Sequence, residues 1–516
     1  MKRFFCILLS LIWILPCFAG CNLTEEDPYI PTGSGLTYED GPAPTTGEEV
    51  QALTLTYYPH KTLNPITCTD YTNRLLFPLL YQSLFVVDRD YNAKPMLCDH
   101  YVVSEDMRVY TFFVANALFS NGEPVTAQDV VATLQAAAES VIYKGRFLHV
   151  SKIELTARNG VQITLDTSME NFPALLDIPI IPAAEITSDR PAGTGPYTLD
   201  TSGIEARLRR RTDWWCNPHM SITAPSITLL EAESIRQIRD SFQFGGVDLV
   251  LADPGSDSYA DYRCDFELWS VENGIFLYLA CSDDSDIFSN DAVRIGLTHA
   301  IDRDLLCEDF YRGFARAAAL PASPDSPYYN ETLAAKYGYD PVKFTQILND
   351  NGFSGAEITL LVNNDDSLRL RVARQIAEML RECGLKVKMS ELGGNNYRYA
   401  VITRQYDLYL GQTMLSPNMD LSPFFATYGE LSWGGVNDVA AYALCMEALA
   451  NHGNYYSLHK TVMDNGLMCP VLFRSYAVYA TRGLVTGLTP SRDNVFYYDL
   501  GKTLKDVRWE AEPAAE

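Results

Sequence analysis

Between Tyr339 and Gly411 the spacing of apolar residues switches back and forth, and that alternation limits the fold more than any other stretch. Asp340-Pro341 reads as an N-cap followed by proline at the first helical position, and the helix it opens stops at Asn351-Gly352. Glu357 to Val362 then reads as a strand. Leu368, Val372, Ile376 and Leu380 recur every fourth residue up to Cys383, and Gly384 supplies the C-terminal stop. Leu385 to Met389 and Tyr406 to Leu410 read as further strands. Strands that alternate with helices pack as βαβ units, so the chain is of the α/β class.

Other segments carry local signals of the same kind. Tyr110 to Val114 is an aromatic and β-branched run that predicts a strand, followed by a Ser120-Asn121-Gly122 turn. Thr126 is an N-cap type, and Asp129 can reach back to it as a capping box, with Val130, Val131 and Leu134 on the apolar face. Ala52 to Tyr58 reads as a strand closed by Leu63-Asn64-Pro65, and Tyr71 to Leu84 has helical spacing interrupted by Pro78. Ile153 to Ala157 and Val161 to Asp166 alternate around Asn159-Gly160. This predicts a type I′ hairpin with Ile153, Leu155, Ile163 and Leu165 on one core face. Ile235 to Phe244 is a candidate helix and Cys469 to Ala480 a strand. Gly193-Thr194-Gly195-Pro196-Tyr197 is no phosphate cradle, because Pro196 removes an N–H and neither glycine-rich phosphate motif is present. It reads as a tight structural turn.

The first residues read as an address. Lys2 and Arg3 precede a run of roughly 12 apolar residues from Phe4 to Leu15, too short to span a bilayer. Phe18-Ala19-Gly20-Cys21 resembles a lipobox, with Phe18 where leucine is usual. The expectation is a signal peptide over residues 1–20 and lipid attachment at Cys21; plain secretion after Gly20 is the alternative. Residues 21–50 are rich in Pro, Gly, Thr and acids and read as a flexible linker. The formal charge of −25 argues against nucleic acid as a partner, since phosphates need a basic footprint. The nine cysteines after Cys21 cannot all pair and include no C-x-x-C. They read mostly as small buried apolar residues, and their scatter in an exported chain suggests a host with little oxygen.

Phe119 to Val130, Phe-Ser-Asn-Gly-Glu-Pro-Val-Thr-Ala-Gln-Asp-Val, resembles the signature of the family 5 extracellular solute-binding proteins of ABC transporters, the peptide/nickel type of cluster C. Further landmarks of that family follow in order. They are Leu63-Asn64-Pro65, Tyr81-Gln82-Ser83-Leu84, the runs Lys94 to Leu97 and Tyr101 to Asp106, Gly193 to Tyr197, Gly246-Val247-Asp248, and Asp291 to Leu306. In the last of these Val293, Ile295, Leu297, Ala300 and Ile301 form one broad apolar face, and Arg303 reads as structural, pairing with acids or capping a turn. The resemblance covers about Gln51 to Leu500. It implies a two-lobed periplasmic-binding-protein-like fold of type II, with an extra domain inserted in the first lobe. Lobe I is expected over residues 51–66, 178–268 and 483–510, the inserted domain II over 67–177, and lobe II (domain III) over 269–482. It further implies a lipid-anchored receptor on the outer face of the cytoplasmic membrane. That receptor closes its hinged lobes on an oligopeptide or similar organic solute and docks on ABC permease subunits with their ATPases.

In peptide-binding relatives, the strand matching Tyr406 to Leu410 is followed by a Gly-Trp-x-x-Asp segment whose aspartate holds the peptide ammonium. Here Thr413 stands for the tryptophan and Ser416 for the aspartate, with Met414 between them, and Asp420 takes over only if the loop shifts. That departure puts a free-N-terminus peptide in doubt. Arg474, inside an apolar strand, either clamps a ligand carboxylate or forms an internal salt bridge. Trp433, in a glycine-flanked loop, either walls the ligand site or packs between lobes. The same fold binding a nickel chelate, an opine or an oligosaccharide is the alternative. Enzyme chemistry is not legible: the seven histidines form no H-E-x-x-H and no G-x-S-x-G occurs. The expectation is no enzyme, no cofactor and no metal site; an envelope hydrolase using the same cleft is the rival from another class.

Overall fold

The capping box read at Thr126 is formed in the computed structural model, which describes residues 52–255, 262–432, 438–485, 487–502 and 507–508. The Asp129 N–H donates to the Thr126 hydroxyl at 3.4 Å, and the Thr126 N–H donates to the Asp129 carboxylate at 2.9 Å. The helix Ala127–Glu139 follows, with Val130, Val131 and Leu134 buried. The second Asp129 oxygen accepts from the Ala183 N–H at 2.8 Å, so one carboxylate both starts the helix and ties it to a distant segment. The segments read as a signal peptide and a linker, Cys21 and Trp433 lie outside the described residues.

Three sheets and one two-stranded ribbon carry the fold. In the first sheet Leu53–Tyr57 runs parallel to Ser226–Glu231, which continues antiparallel through Ala206–Arg210 to Tyr197–Asp200. The second has five strands in the order Val507–Arg508, Cys98–Val103, Val109–Val114, Val161–Leu165 and Val150–Leu155. The third has seven. Leu249–Ala252, Cys469–Thr481, Phe266–Cys281, Leu408–Met414, Glu357–Asn363 and Lys386–Leu392 lie side by side, and Ala315–Ala317 pairs separately with Cys469–Thr481. The βαβ reading holds in this sheet. Glu357–Asn363 and Lys386–Leu392 are parallel, joined by the helix Ser367–Glu382, and Leu408–Met414 adds in parallel on the other side.

The strands Phe266–Cys281 and Cys469–Thr481 form the longest ladder, which is broken by a register shift between Glu272 and Phe276 and by a second, smaller one between Leu277 and Tyr278. Before the first shift Val271, Val478 and Ala480 pack in the core that contains Leu53, Leu55 and Leu229 of the first sheet. After it Phe276 and Phe473 belong to one core of the third sheet, and Leu277 and Leu472 to another. Gly274 sits in the shift at φ +73°, where a side chain would be strained.

Several local expectations are corrected. Gly160 does not take positive φ; Asn159 alone does (58°), and the Thr156 N–H bonds to the Gly160 carbonyl across a longer loop than a type I′ turn. Leu155 at the loop edge is consequently exposed, while Val161, Ile163 and Leu165 are buried. Tyr71 to Leu84 is two separate turns, Tyr71–Arg74 and Phe77–Leu80, with Pro78 in the first turn of the second, where its missing N–H costs nothing. Asp291 to Leu306 is broken at Ile301, where the backbone becomes extended before Asp302 caps a new turn. Arg303 is structural but, among the described residues, pairs with no acid. Its buried guanidinium donates to the carbonyls of Ala318, Pro470, Thr298 and Ile301 and to the Thr298 hydroxyl. The nine cysteines are free thiols, six of them buried.

The Gly193–Tyr197 loop is the expected tight turn, and its glycines are required by close approach. A β-carbon at Gly193 would lie 1.9 Å from the Leu80 carbonyl oxygen, and one at Gly195 2.5 Å from that of Leu79. The Gly195 N–H donates to the Leu80 carbonyl at 2.9 Å. Gly193→Ala must push two backbone segments apart and is expected to cost about 3 kcal/mol, the upper range for overpacking. Urea unfolding of the variant against the parent measures it, and equal midpoints would show that the contact yields.

Candidate functional site

A cavity of about 700 Å³ opens beside the register shift. It has three main walls: Thr69 to Arg74 together with Val141 to His149, then Thr413 to Leu431, and last the turn at Arg492 and Asp493. Of the residues singled out in the sequence, Thr413, Met414, Ser416 and Asp420 line it. Arg474 does not. It is buried behind the wall, donating to both Asp253 oxygens at 2.9 and 3.0 Å and to Gln412 at 3.3 Å, which is the internal salt bridge. Trp433 is not described.

Each wall is fixed by hydrogen bonds that leave little freedom. Asn73 is fully buried; its amide donates to the carbonyls of Tyr58 and Thr62 and its oxygen accepts from the Tyr58 N–H at 2.7 Å. Asp70 caps the turn Tyr71–Arg74, so Tyr71 and Arg74 face the cavity from a pinned element. Tyr71 stacks on Tyr476 with centroids 5.7 Å apart. On the third wall, Ser491 and Asn494 exchange backbone bonds across Arg492 and Asp493, and Arg492 takes φ 47°. The Ser491 hydroxyl donates to the Val87 carbonyl, and Arg89 donates to that of Pro490. These ties hold a left-handed arginine that would otherwise relax, at a cost of about 1 kcal/mol.

The lining charges are mostly paired. Arg74 meets Asp493 at 3.2 Å, Lys144 meets Glu430 at 2.9 Å, and Arg146 is bonded to Asp177 just outside the wall. Burial works against the Asp493 carboxylate, but Arg74, Arg492 and Arg146 outweigh it and hold its pKa below the usual value. His149 stands between two acids, with Nδ1 at 3.2 Å from Asp166 and Nε2 at 3.2 Å from Asp420. Burial lowers the imidazole pKa, but the two carboxylates outweigh it and raise it above 6.5.

Ser422 Oγ lies 3.1 Å from His149 Nε2, so Ser422, His149 and Asp166 superficially have the order of a nucleophilic triad. The geometry is wrong for one. Asp420 lies 3.2 Å from the same Nε2 and accepts from the Ser422 hydroxyl at 3.0 Å, so the serine proton is directed to the carboxylate and not to the imidazole. The cluster instead joins the start of Val150–Leu155 to the loop after Leu408–Met414, two segments more than 250 residues apart. Among the described residues no three His, Cys, Asp or Glu are placed to hold a metal ion.

Large apolar side chains also face the cavity unburied. Tyr428 is 97% exposed, Val141 78% and Met414 57%. Sequence reasoning found only Met414 of these and none of Arg74, Arg146, His149 or Arg492. Nothing local marks them, because their partners come from across the fold.

The sequence profile for "Bacterial extracellular solute-binding proteins, family 5 Middle" matches residues 92–435. The glutathione-binding protein GsiB of Shigella dysenteriae is 24% identical over 452 residues, covering 83% of this chain and 80% of the relative. Among solved structures, the ABC transporter substrate-binding protein CtaP of Listeria monocytogenes superposes with a TM-score of 0.70 at 18% identity, over 88% of this chain and 99% of that one. NikA of Brucella suis, in complex with Fe(III)-EDTA, gives 0.66 at 18% identity, over 86% and 98%. These similarities give the chain a mixed α/β, two-lobed fold of type II.

The His149 cluster predicts a pH dependence. The folded state binds the imidazole proton more tightly than the unfolded chain does, so this contribution is complete below about pH 6.5 and is lost as pH rises through the higher folded value. The groups facing His149 are Asp166, Asp420, Ser422 and, across the cavity wall, Tyr442. In thermal melts, the advantage of the parent over His149→Gln is expected at pH 6 and should shrink by pH 9. A constant gap would show that the imidazolium is not what holds the segments together.

Proposed function

This chain belongs to family 5 of the bacterial extracellular solute-binding proteins, and from that membership we propose that it captures a short peptide, or a similar small organic solute, in the cavity beside the register shift and delivers it to an ABC permease. The observation that carries the reading is the character of the cavity. Its volume lies in the range of small-molecule sites, and ionic groups and exposed apolar side chains converge on it from its three main walls. Apolar groups left in water at a concave site gain free energy when a ligand covers them, about 25 cal/mol per Å². The change of core across the register shift supports a division into two lobes; of the bounds proposed, 51–66, 178–268 and 483–510 for lobe I, 67–177 for the insertion and 269–482 for lobe II, the last takes in Val271, Val478 and Ala480, which pack with the first sheet, so the crossing lies nearer Glu272 and Ser475. Export through residues 1–20, lipid attachment at Cys21 and a leash over 21–50 complete the proposal.

Relatives bind ligands as different as glutathione and a chelated metal, so the solute must be identified directly. Purified protein should carry a small molecule detectable by mass spectrometry after denaturation. Added back at a hundredfold its Kd, that molecule should stabilise the protein by about 2.7 kcal/mol and change the small-angle scattering profile. A panel of peptides, a nickel chelate, an opine and an oligosaccharide separates the alternatives. No retained molecule, together with no shift in melting or scattering from any of the panel, overturns the reading; turnover of a bound peptide would instead favour a hydrolase.

A further inference from the structure

Resting on that reading, we infer that the solute is anchored by a carboxylate received by Arg492 and Asn273, that its apolar side chain covers Val141, Met414 and Tyr428, and that no carboxylate is held open for an ammonium. The ion pairs of the wall carry the argument. Each lining carboxylate already has a cation: Asp493 has Arg74, Glu430 has Lys144, and Asp166 and Asp420 share His149. Asp420, the residue that could have replaced the family's ammonium-binding aspartate, also accepts from the Ser422 N–H at 2.8 Å and the Ser422 hydroxyl at 3.0 Å. With His149 that fills three of about four acceptor positions of a carboxylate whose side chain is only 7% exposed.

The cations do not balance in the same way. Arg492 meets no carboxylate within ion-pair distance among the described residues. It donates to the Leu415 carbonyl at 3.3 Å and lies over the Tyr91 ring at 5.5 Å, while its Nη1 is buried without an acceptor. Glu272, the nearby acid that offsets it electrostatically, has its two oxygens taken by Tyr91 at 2.7 Å and by Ser323. Asn273 repeats the pattern. It is 3% exposed and lines the cavity; its oxygen accepts from the Ile275 N–H, and its Nδ2 has no partner. Both residues line the cavity, and Arg492 reaches the residue that follows Asn273: a β-carbon on Gly274 would lie 2.7 Å from Arg492 Nη2.

Buried donors without acceptors are costly, and among the described residues those of the cavity wall with no partner are both donors. A carboxylate supplies two acceptor oxygens and the missing charge, and a guanidinium matches it in shape. An ammonium would meet only carboxylates that already have cations. The two most accessible of these, Glu430 and Asp166, have side chains 67% and 59% exposed, where solvent screens an added pair.

Isothermal titration of the full chain with three probes tests the inference: the tripeptide Ala-Phe-Leu as free acid, as its C-terminal amide, and N-acetylated with a free carboxylate. The acid and its N-acetyl form should bind within about threefold of each other, and the amide at least tenfold more weakly. Asn273→Asp keeps the bond to Ile275 and turns the donor into an acid, so it should weaken the acid and leave the amide nearly unchanged. Arg492→Gln should erase the acid–amide difference, and Arg492→Lys should keep part of it; the second variant serves if the first fails to fold. An amide that binds as tightly as the acid, or a tenfold loss on acetylation, overturns the inference while leaving solute capture standing. Failure of all three probes overturns it too, and solute capture is then judged on the retained-ligand spectrum alone.

Discussion

Two long strands, Phe266–Cys281 and Cys469–Thr481, share backbone hydrogen bonds on both sides of a register shift, and each half of that ladder serves a different core. Backbone pairing cannot be given up cheaply in a buried strand, so the two cores are joined by a connection that neither can release. At the shift three residues, Asn273 to Ile275, stand opposite Arg474 alone. The extra backbone bends the ladder and turns Asn273 toward the cavity. Arg474, opposite, is locked to Asp253 on the far side. The position of the cavity therefore follows from the first of two irregularities in this pair of strands.

The same economy governs the charges. A wall of ionic groups facing a semi-enclosed space would be unstable if the groups were unpaired, since desolvation is costly. The chain meets this by drawing partners from opposite walls. Arg74 and Asp493 are separated by 419 residues, Lys144 and Glu430 by 286, and His149 and Asp420 by 271. Pairs of this kind bring the walls together and at the same time neutralise them. What stays unneutralised is a small, directional demand at Arg492 and Asn273, and directional demand is what selects a ligand.

Local signals were legible in the sequence wherever both partners lie within a few residues. Thr126 and Asp129 are three apart, and the N-cap Asp340 sits directly before its helix; Asp366, which caps Ser367–Glu382, was not read as a cap. The Gly193–Tyr197 loop was legible as a turn, though its physical reason, contact with Leu79 and Leu80, needs the fold. The Asn159-Gly160 turn was misread because the dipeptide permits two positive φ angles without requiring them, and the flanking register decided otherwise. The helices Val439–Ala450 and Tyr455–Asp464 and the long strand Phe266–Cys281 were not read at all. Val439–Ala450 is apolar nearly all round, so it has no clear stripe to detect. For the site, counting onward from a family strand found one wall, Thr413 to Asp420. Arg492 and His149 could not be found that way, since charge pairing across hundreds of residues leaves no spacing to read.

The ladder that links the cores also dictates how they can travel. Both strands lie inside a seven-stranded sheet, and sliding one past the other would break every rung at once. Pairing across the ladder is missing at Asn273 to Ile275, so bending of the ladder would be easiest there. A hinge at that point would pass next to Gly274, which Arg492 approaches. About such a hinge the outlying groups would sweep the widest arc and those near it would hardly move, so an incoming molecule would be gripped first at the pivot and enclosed afterwards.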